Sequence, residues 1–444
     1  MHAEPGDTLA AALLRNGVRL VGRSFKYHRP RGVMSAGVEE PNALVTVGTG
    51  GRTEPNTRAT DVFVYDGLVA VSQNRWPSLK FDVGAVLGLA APVFAAGFYY
   101  KTFFGPPQRW MLYERFIRRA AGIGPAPTDA DPDAFEHRAA FCDVLVVGSG
   151  PAGLAAAGAA AAAGERVLLV EQDAELGGTV LADGGDLAPI AAAQAAITAA
   201  NGRILTRTTA SGLWDHGFVT LSQRVTEPGQ PGPLAQRYWQ VRAKRIVLAT
   251  GAIERPLTFA GNDRPGVMLA RAVRTYIRRF GVLPGRRVVI ATNNDDAYKT
   301  ADAVAAAGGK VVAILDSRAD LSAVASAAKT QFPVFTNAIP VSTTGGRDGV
   351  TGVAADVWTE KFTYQADLLA MSGGFTPVVH LHSHGGGKLD WRDDIQAFVP
   401  GATPQNLTTV GSAAGEIEAI GAATVSLDHP KSSFIDFQND VTAA

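Results

Sequence analysis

Residues 143–154 constrain the fold of this chain more than any other stretch. The sequence there, Asp143-Val-Leu-Val-Val-Gly-Ser-Gly-Pro-Ala-Gly-Leu154, places a glycine-rich turn between an apolar run and an alanine-rich run. A strand, a Gly-x-Gly-x-x-Gly turn and a helix in this order are typical of a dinucleotide-binding unit. Gly148 and Gly150 allow a tight turn and close approach of the backbone to a pyrophosphate, and Gly153 lets the helix pack on the strand. Because the helix N-terminus offers unpaired N–H groups to phosphates, the stretch predicts a dinucleotide ligand.

An acidic residue ends the next predicted strand, Arg166-Val-Leu-Leu-Val-Glu171. Glu171 follows Gly148 by 23 residues, near the spacing of about 20 at which an acid hydrogen-bonds ribose hydroxyls. An acid there favours an unphosphorylated ribose, and therefore FAD or NAD over NADP. The candidate cofactor-binding residues are Gly148, Gly150, Ala152, Gly153, Glu171, Gln172, Asp173, Gly178, Thr179, Ala210, Gly251, Gly411 and Ala414.

Composition excludes several classes of function. Lys plus Arg equals Asp plus Glu at 41 each, so no overall field draws nucleic acid or an anionic membrane. The single cysteine, Cys142, forbids an intramolecular disulfide and a four-cysteine iron–sulfur site. With no N-terminal secretion signal, these features predict a cytoplasmic protein.

An uncharged apolar run covers residues 83–100. It barely reaches the length of a membrane span, and Pro92 and three glycines interrupt it. We therefore expect a buried connector and no membrane span. A helical linker with apolar residues at helical spacing follows, and a loop rich in Pro and Asp precedes the nucleotide-binding unit.

A second strand–helix–strand pattern begins at Arg286 and ends at Asp316. Ala291, Asn293 and Asp296 occupy the three glycine positions of its turn, and a carboxylate at a helix N-terminus repels a pyrophosphate. The pattern predicts a second Rossmann-like domain whose nucleotide site is unused. The run His380–His384 predicts a surface loop after a short helix, in preference to a metal site, and no catalytic residue is identified.

The N-terminal sequence resembles a known family. Arg23-Ser-Phe-Lys-Tyr-His-Arg-Pro-Arg-Gly32 and Ser35-Ala-Gly-Val-Glu-Glu-Pro-Asn-Ala-Leu-Val45 resemble the alpha subunit of heterotetrameric sarcosine oxidase. The resemblance implies a ferredoxin-like β-grasp domain, here without an iron–sulfur cluster because the cluster cysteines of related subunits are missing. Ser412 stands where comparable flavoproteins carry an Asp, and the resemblance implies NAD in the first Rossmann site with the flavins in the partner subunit and at the interface. Together these favour NAD over FAD in that site.

The resemblance also implies partners and an activity. A flavin-bearing beta subunit is expected, together with small gamma and delta subunits, with FAD and FMN in the complex and a small secondary amine bound on the partner. Sarcosine is then oxidised to glycine, with hydrogen peroxide and formaldehyde or methylene-tetrahydrofolate as the other products. The chain stops where the family continues into a folate-binding domain. The alternatives are the alpha subunit of an opine oxidase and a free-standing oxidoreductase that uses FAD and NAD(P).

The predicted fold is α/β, with two Rossmann-like domains, one inserted in the other, after the β-grasp domain. The predicted divisions are 1–100 for the β-grasp domain, 101–140 for the helical linker, 141–257 and 366–444 for the first dinucleotide-binding domain, and 258–365 for the inserted one.

Overall fold

The computed structural model describes residues 1–90, 107–120 and 122–417. Within these ranges the α-helices are α1 (Leu9–Arg15), α2 (Pro107–Ala120), α3 (Pro151–Ala162), α4 (Thr179–Asp183), α5 (Ala188–Ala199), α6 (Ala270–Phe280), α7 (Tyr298–Ala306), α8 (Ala323–Ala328) and α9 (His380–His384). The strands are β1 (Gly22–Arg23), β2 (Pro30–Arg31), β3 (Leu44–Val47), β4 (Glu54–Arg58), β5 (Ala70–Ser72), β6 (Phe135–Val147), β7 (Val167–Val170), β8 (Arg203–Leu205), β9 (Thr208–Trp214), β10 (Phe218–Arg224), β11 (Gln236–Leu248), β12 (Ala252–Glu254), β13 (Val267–Leu269), β14 (Arg287–Thr292), β15 (Lys310–Asp316), β16 (Val334–Phe335), β17 (Ala338–Gly346), β18 (Gly349–Val357), β19 (Glu360–Gln365), β20 (Leu368–Ser372), β21 (Phe375–Pro377), β22 (Leu389–Arg392), β23 (Ala397–Pro400) and β24 (Leu407–Thr409).

The largest sheet is built around β6. Its strand order is β8-β7-β6-β11-β10-β9, and β24 pairs in parallel with the end of β11. Strands β8, β7, β6 and β11 are parallel, so their carboxyl ends meet at one edge. Residues 144–147 are buried without alternation because α3 and α5 cover one face of the parallel strands and a second apolar cluster covers the other.

A second parallel sheet has the order β13-β20-β14-β15-β16. The chain enters this region after β12 and leaves it before β21, and these two strands pair antiparallel, so the two crossings lie side by side. A three-stranded antiparallel sheet, β17-β18-β19, lies between β16 and β20 in sequence. The mixed α/β fold predicted from the sequence is confirmed.

The N-terminal residues form the hairpin β1-β2 and an antiparallel sheet of order β4-β3-β5. They share one hydrophobic core with the second parallel sheet, in which Val21 and Val33 belong to the same cluster as Val273. The hydroxyl of Tyr276, which is fully buried, donates to the carbonyl oxygen of Ser35 at 3.0 Å. This packing ties the N-terminal residues to α6.

Only part of the apolar run 83–100 lies within the described residues. Residues 83–90 form a 3₁₀ helix in which Val83, Val86 and Leu89 are exposed, so the predicted burial is wrong for this part, and residues 91–100 lie outside the described ranges. Among the helices that the structure describes, none is long and apolar enough to cross a membrane. The strand β6 begins at Phe135, inside the segment predicted as a linker.

Candidate nucleotide-binding site

A cavity of about 510 Å³ opens at the carboxyl ends of the parallel strands. This volume lies in the range of about 300–1,000 Å³ typical of small-molecule sites. Its walls include the turn after β6, the end of β7, the start of α4, residues 249–254 and the turn after β24. Parallel α/β sheets bind ligands at this edge, so the topology alone marks the cavity as the candidate site.

The glycine turn after β6 has the geometry that a pyrophosphate needs. Gly148 has φ of +99°, and a Cβ there would lie 2.3 Å from the carbonyl oxygen of Ala249. A Cβ on Gly153 would lie 2.0 Å from the carbonyl oxygen of Gly148, so only glycine lets α3 approach the turn. A Cβ on Gly150 would meet nothing within 4 Å, because it would point into open space. Space for a ligand is therefore present at Gly150, and the residues fit a dinucleotide.

Glu171, which follows β7, stabilises this turn through hydrogen bonds. Its Oε2 accepts a hydrogen bond from the Ser149 backbone N–H at 2.8 Å and another from the Ser149 hydroxyl at 2.6 Å. Its Oε1 accepts from the Asp173 N–H at 2.9 Å. A carboxylate has about four acceptor sites, so the ribose contact predicted from the sequence is compatible with these bonds.

A second glycine turn lies against the first. Gly177 and Gly178 both have positive φ, at +127° and +54°. The Gly177 N–H donates to the carbonyl oxygen of Ser149 at 3.1 Å, and a Cβ on Gly178 would lie 3.1 Å from the Cα of Gly150. Two backbone turns thus form one wall of the cavity.

Most residues predicted for the cofactor site line this cavity. Those that do are Gly148, Gly150, Ala152, Glu171, Gln172, Asp173, Gly178, Thr179, Ala210, Gly251 and Gly411. Gly153 and Ala414 do not line it: the former packs α3 on the turn, and the latter ends the 3₁₀ turn that begins at Gly411. Their role as ligand contacts remains a prediction.

Sequence reasoning missed a wall contributed by α6 and by the N-terminal residues 36–39. Arg271, Thr275 and Arg279 of α6 line the cavity, and their spacing of four residues places them on one helical face. This four-residue spacing was the sequence signal that could have predicted the wall. Arg279 donates from both terminal nitrogens to Asp173, at 2.6 Å and 3.0 Å, and so bridges the two parallel sheets beside the cavity.

The turn after β14 differs from the turn after β6. Asp295 pairs with Arg318 at 2.7 Å, and Asp296 pairs with Arg274 at 3.0 Å. Burial raises the pKa of Asp296, but Arg274 and Arg271 outweigh it and hold that pKa below its ordinary value. Two carboxylates, each already paired with an arginine of the chain, therefore occupy the turn that corresponds to the glycine turn after β6.

Glu254 is the most perturbed carboxyl in the cavity wall. Burial raises the pKa of Glu254 to about 7, although Arg271 and Ser372 oppose the shift. Its Oε2 accepts a hydrogen bond from the Arg271 backbone N–H at 2.8 Å. A carboxyl that titrates near neutrality in a ligand cavity is a candidate functional group.

The histidines of α9 serve the packing. His382 is buried, and its Nε2 lies 2.9 Å from the carbonyl oxygen of Lys388. Nδ1 of His384 lies 2.7 Å from the carbonyl oxygen of Leu213. These histidines lie on the helix itself and not in the surface loop that the sequence predicted. In the part of the chain that the structure describes, no group of His, Cys, Asp and Glu is arranged to hold a metal ion.

The fold and the cavity define an α/β protein of the dinucleotide-binding oxidoreductase class. The family described as FAD dependent oxidoreductase matches residues 143–312, and the family described as 2Fe-2S iron-sulfur cluster binding domain matches residues 1–75. The solved structure of L-proline dehydrogenase from P. horikoshii shares the fold, with a TM-score of 0.60 and 20% identity over 93% of this chain and 66% of that one.

The relatives are more specific. The chain is 48% identical to the sarcosine oxidase alpha subunit of Rhizobium meliloti (strain 1021), over 93% of this chain and 43% of the relative. It is 27% identical to an opine oxidase subunit of the same organism, over 64% of this chain and 68% of that relative. The chain is therefore similar to sarcosine oxidase alpha subunits over nearly its whole length, as the residues of the N-terminal loop predicted, and it spans about two fifths of the length of the relative it matches.

The family match at residues 1–75 contradicts the prediction of a cofactor set without an iron–sulfur cluster. That prediction rested on the cysteine count, whereas the family is recognised by the whole domain sequence. Clusters are held by cysteine thiolates, and Cys142 lies outside the matched residues, so the residues present in 1–75 supply no thiolate ligand. In the loop of residues 34–43, the buried Glu40 carboxylate accepts four backbone hydrogen bonds, from Met34, Ser35, Asn42 and Ala43.

The preference for NAD in the first Rossmann site also needs correction. It rested on Ser412 and on what the resemblance implies for this site, whereas the family that matches residues 143–312 is described as FAD dependent. The match supports FAD.

Proposed function

We propose that this chain is the alpha-subunit portion of a multi-subunit, flavin-dependent amine oxidase of the sarcosine oxidase type. The observation that carries the proposal is the 48% identity to a sarcosine oxidase alpha subunit over 93% of this chain. The complete complex would convert sarcosine, O₂ and water to glycine, hydrogen peroxide and formaldehyde, or pass the one-carbon unit to tetrahydrofolate. The chain spans 43% of that relative, so we propose this activity for the complete complex and not for this chain alone.

The contribution of this chain is to bind a dinucleotide beside Gly148 and Gly150. FAD is the cofactor that the family match supports, and when bound it supplies two-electron oxidation chemistry. The open space at Gly150 leaves room for the pyrophosphate, and Glu171 keeps the turn in shape. Sequence gives no catalytic residue, which is consistent with an amine that binds on another subunit.

The partners of this complex would be a flavin-bearing beta subunit together with small gamma and delta subunits, in the cytoplasm. The N-terminal residues 1–100 would form a β-grasp domain that serves as scaffold and docking surface. We propose residues 141–257 and 366–444 as the first dinucleotide-binding domain and residues 258–365 as the inserted one.

Two alternatives make different demands. A free-standing reductase needs two nucleotide sites, whereas the second turn carries Asp295 and Asp296 in ion pairs. The opine oxidase alternative has support from the 27% identity to an opine oxidase subunit. The proposal of a sarcosine oxidase type rests on the higher identity.

Co-expression of the chain with its partner subunits tests the proposal. We expect hydrogen peroxide production with sarcosine only when the flavin-bearing beta subunit is present, and little with an opine such as octopine. The nucleotide released from the denatured chain, identified by mass spectrometry, reports the cofactor of the first site. Robust NADH-dependent dye reduction by the chain alone would contradict the proposal in favour of the free-standing reductase.

A further inference from the structure

One end of the cavity contains two polar side chains with buried, unpaired atoms. Glu254 is 5% exposed, and its Oε1 makes no hydrogen bond of good geometry with the described residues, although Ser372 lies near enough to lower the pKa of this carboxyl. Nε and Nη2 of Arg271 are also buried and lack a hydrogen-bond partner within the same ranges. The Arg271 guanidinium lies 4.2 Å from the centre of the Phe375 ring, and its Nη2 is 3.8 Å from Asp296, too far for a hydrogen bond.

Unpaired buried donors and acceptors are rare in folded proteins. Here a donor group and an acceptor group of this kind line the same cavity, from two different elements, β12 and α6. The bonds that their neighbours make leave these atoms unsatisfied: the Arg271 backbone N–H donates to the other oxygen of Glu254, and Asp296 is hydrogen-bonded to Arg274. The protein itself covers these atoms, so a ligand in the cavity can supply the missing partners once the two side chains turn towards it.

Helix α6 shows which part of a dinucleotide reaches this end. Arg279 holds Asp173, which follows the Glu171 position predicted to contact the ribose. Arg271 lies eight residues earlier on the same helix, about 12 Å away at 1.5 Å per residue. The pyrophosphate turn lines the cavity as well, so Arg271 and Glu254 stand at the end where the second half of the dinucleotide lies.

We propose that Arg271 and Glu254 recognise an amide edge, O=C–N–H, on the ring at the far end of the dinucleotide. The guanidinium donates to the carbonyl oxygen, and the free carboxyl oxygen accepts from the N–H. This inference rests on the proposed nucleotide site. The pyrimidine edge of a flavin and the carboxamide of a nicotinamide both carry this group. Separate binding measurements with FAD and with NAD distinguish these two sources.

Binding of three probes to the full chain, freed of copurified nucleotide, tests the inference by calorimetry. ADP-ribose lacks the ring, whereas the flavin of FAD and the nicotinamide of NAD each carry the amide edge. We expect Arg271→Met to weaken whichever ring-bearing dinucleotide is the ligand by at least about tenfold and to leave ADP-ribose affinity within about twofold. Arg278→Met, which removes an exposed arginine from the same helix, is the matched control and should change neither.

A second pair of variants keeps the test decisive if Arg271→Met fails to fold. Arg271→Lys keeps the charge but loses the planar guanidinium with its fixed set of N–H donors. It should also lose affinity for the ring-bearing dinucleotide. Glu254→Gln has one acceptor oxygen where two are needed, one for the Arg271 backbone N–H and one for the ligand N–H, so Glu254→Gln and Glu254→Leu should both lose at least about tenfold.

The possible results separate the inference from the proposed function. Loss of FAD binding alone or of NAD binding alone supports the inference and identifies the ring. Equal losses for ADP-ribose and the dinucleotides, or no loss for any probe, overturn the inference while the nucleotide site stands. A wild-type chain that binds none of the three probes overturns both.

Discussion

The Glu171 carboxylate accepts hydrogen bonds from both the backbone N–H and the side-chain hydroxyl of Ser149, at 2.8 Å and 2.6 Å. Ser149 is fully buried in the phosphate turn, and Glu171 ends the neighbouring strand. The shape of the turn therefore depends on a side chain from the next strand as well as on its glycines.

Replacement of Glu171 by Ala should destabilise the fold by about 1–3 kcal/mol, because it leaves buried donors of Ser149 unpaired. Ser149→Ala removes one hydroxyl and should cost less, about 0.5–1.5 kcal/mol. Urea unfolding of both variants measures the difference. An unchanged unfolding midpoint for Glu171→Ala would show that the hydrogen bonds carry no stability.

Replacement of Gly150 by Val should reduce nucleotide affinity by about a hundredfold or more without unfolding the chain. Gly150 has φ of −64°, which any residue adopts, and its Cβ would point into open space, so the side chain occupies the volume of the pyrophosphate. Gly158→Val on the same helix α3 also meets nothing within 4 Å and is the control. If the folded Gly150→Val variant retained its nucleotide fully, the nucleotide site would have to lie elsewhere in the chain.

Replacement of Arg274 by Met should destabilise the fold by about 3–5 kcal/mol. Arg274 is 1% exposed and pairs with Asp183 at 2.8 Å and with Asp296 at 3.0 Å, so its loss leaves two largely buried carboxylates with only their longer ion pairs, such as those at 3.3 Å to Lys299. Denaturant unfolding at neutral pH is the measurement. The exposed Arg278→Met should stay within about 0.5 kcal/mol of the wild type. Equal midpoints for the two variants would contradict a structural role for the buried ion pairs.

Glu254 should make the stability of the chain fall as pH rises. Its pKa is raised from 4.5 to about 7 by burial, so between these values the folded state binds more protons than the unfolded state. This stability is present below about pH 4.5 and is lost as pH rises through about 7. Glu254→Gln cannot ionise, so at about pH 8 it should be more stable than the wild type, by on the order of 3 kcal/mol.

The difference between Glu254→Gln and the wild type should shrink towards zero at about pH 4.5. Unfolding both proteins across this range cancels the titration of every other group. Parallel profiles for the two proteins would show that Glu254 is already ionised or exposed in the folded state.

Local sequence was enough to predict the geometry of the glycine turn, whereas nucleotide binding by its residues stays a prediction. Gly148, Gly150 and Glu171 belong to one strand–turn–helix–strand unit, in which spacing along the chain sets spacing in space. The carboxylates of the second turn were predicted for the same reason, since Asp295 and Asp296 lie beside the start of their own helix. The family resemblance came from contiguous residues of the N-terminal loop.

The cofactor, by contrast, was misjudged from local sequence. A single residue, Ser412, does not report which dinucleotide fills a cavity with walls from several segments of the chain. The cysteine count reports ligands and not the family of a domain, and the family match contradicts the conclusion drawn from it.

Tertiary structure alone decided the far end of the cavity. Glu254 and Arg271 meet because the chain leaves the first sheet at β12 and returns along α6, and residues 36–39 reach the same cavity through packing of the N-terminal sheet on the second one. Such contacts join residues far apart in sequence, whose burial and missing hydrogen-bond partners depend on the packing of three sheets and not on any local pattern. The sequence by itself determined the phosphate turn and its acid, whereas the fold determined which charged side chains face the rest of the ligand.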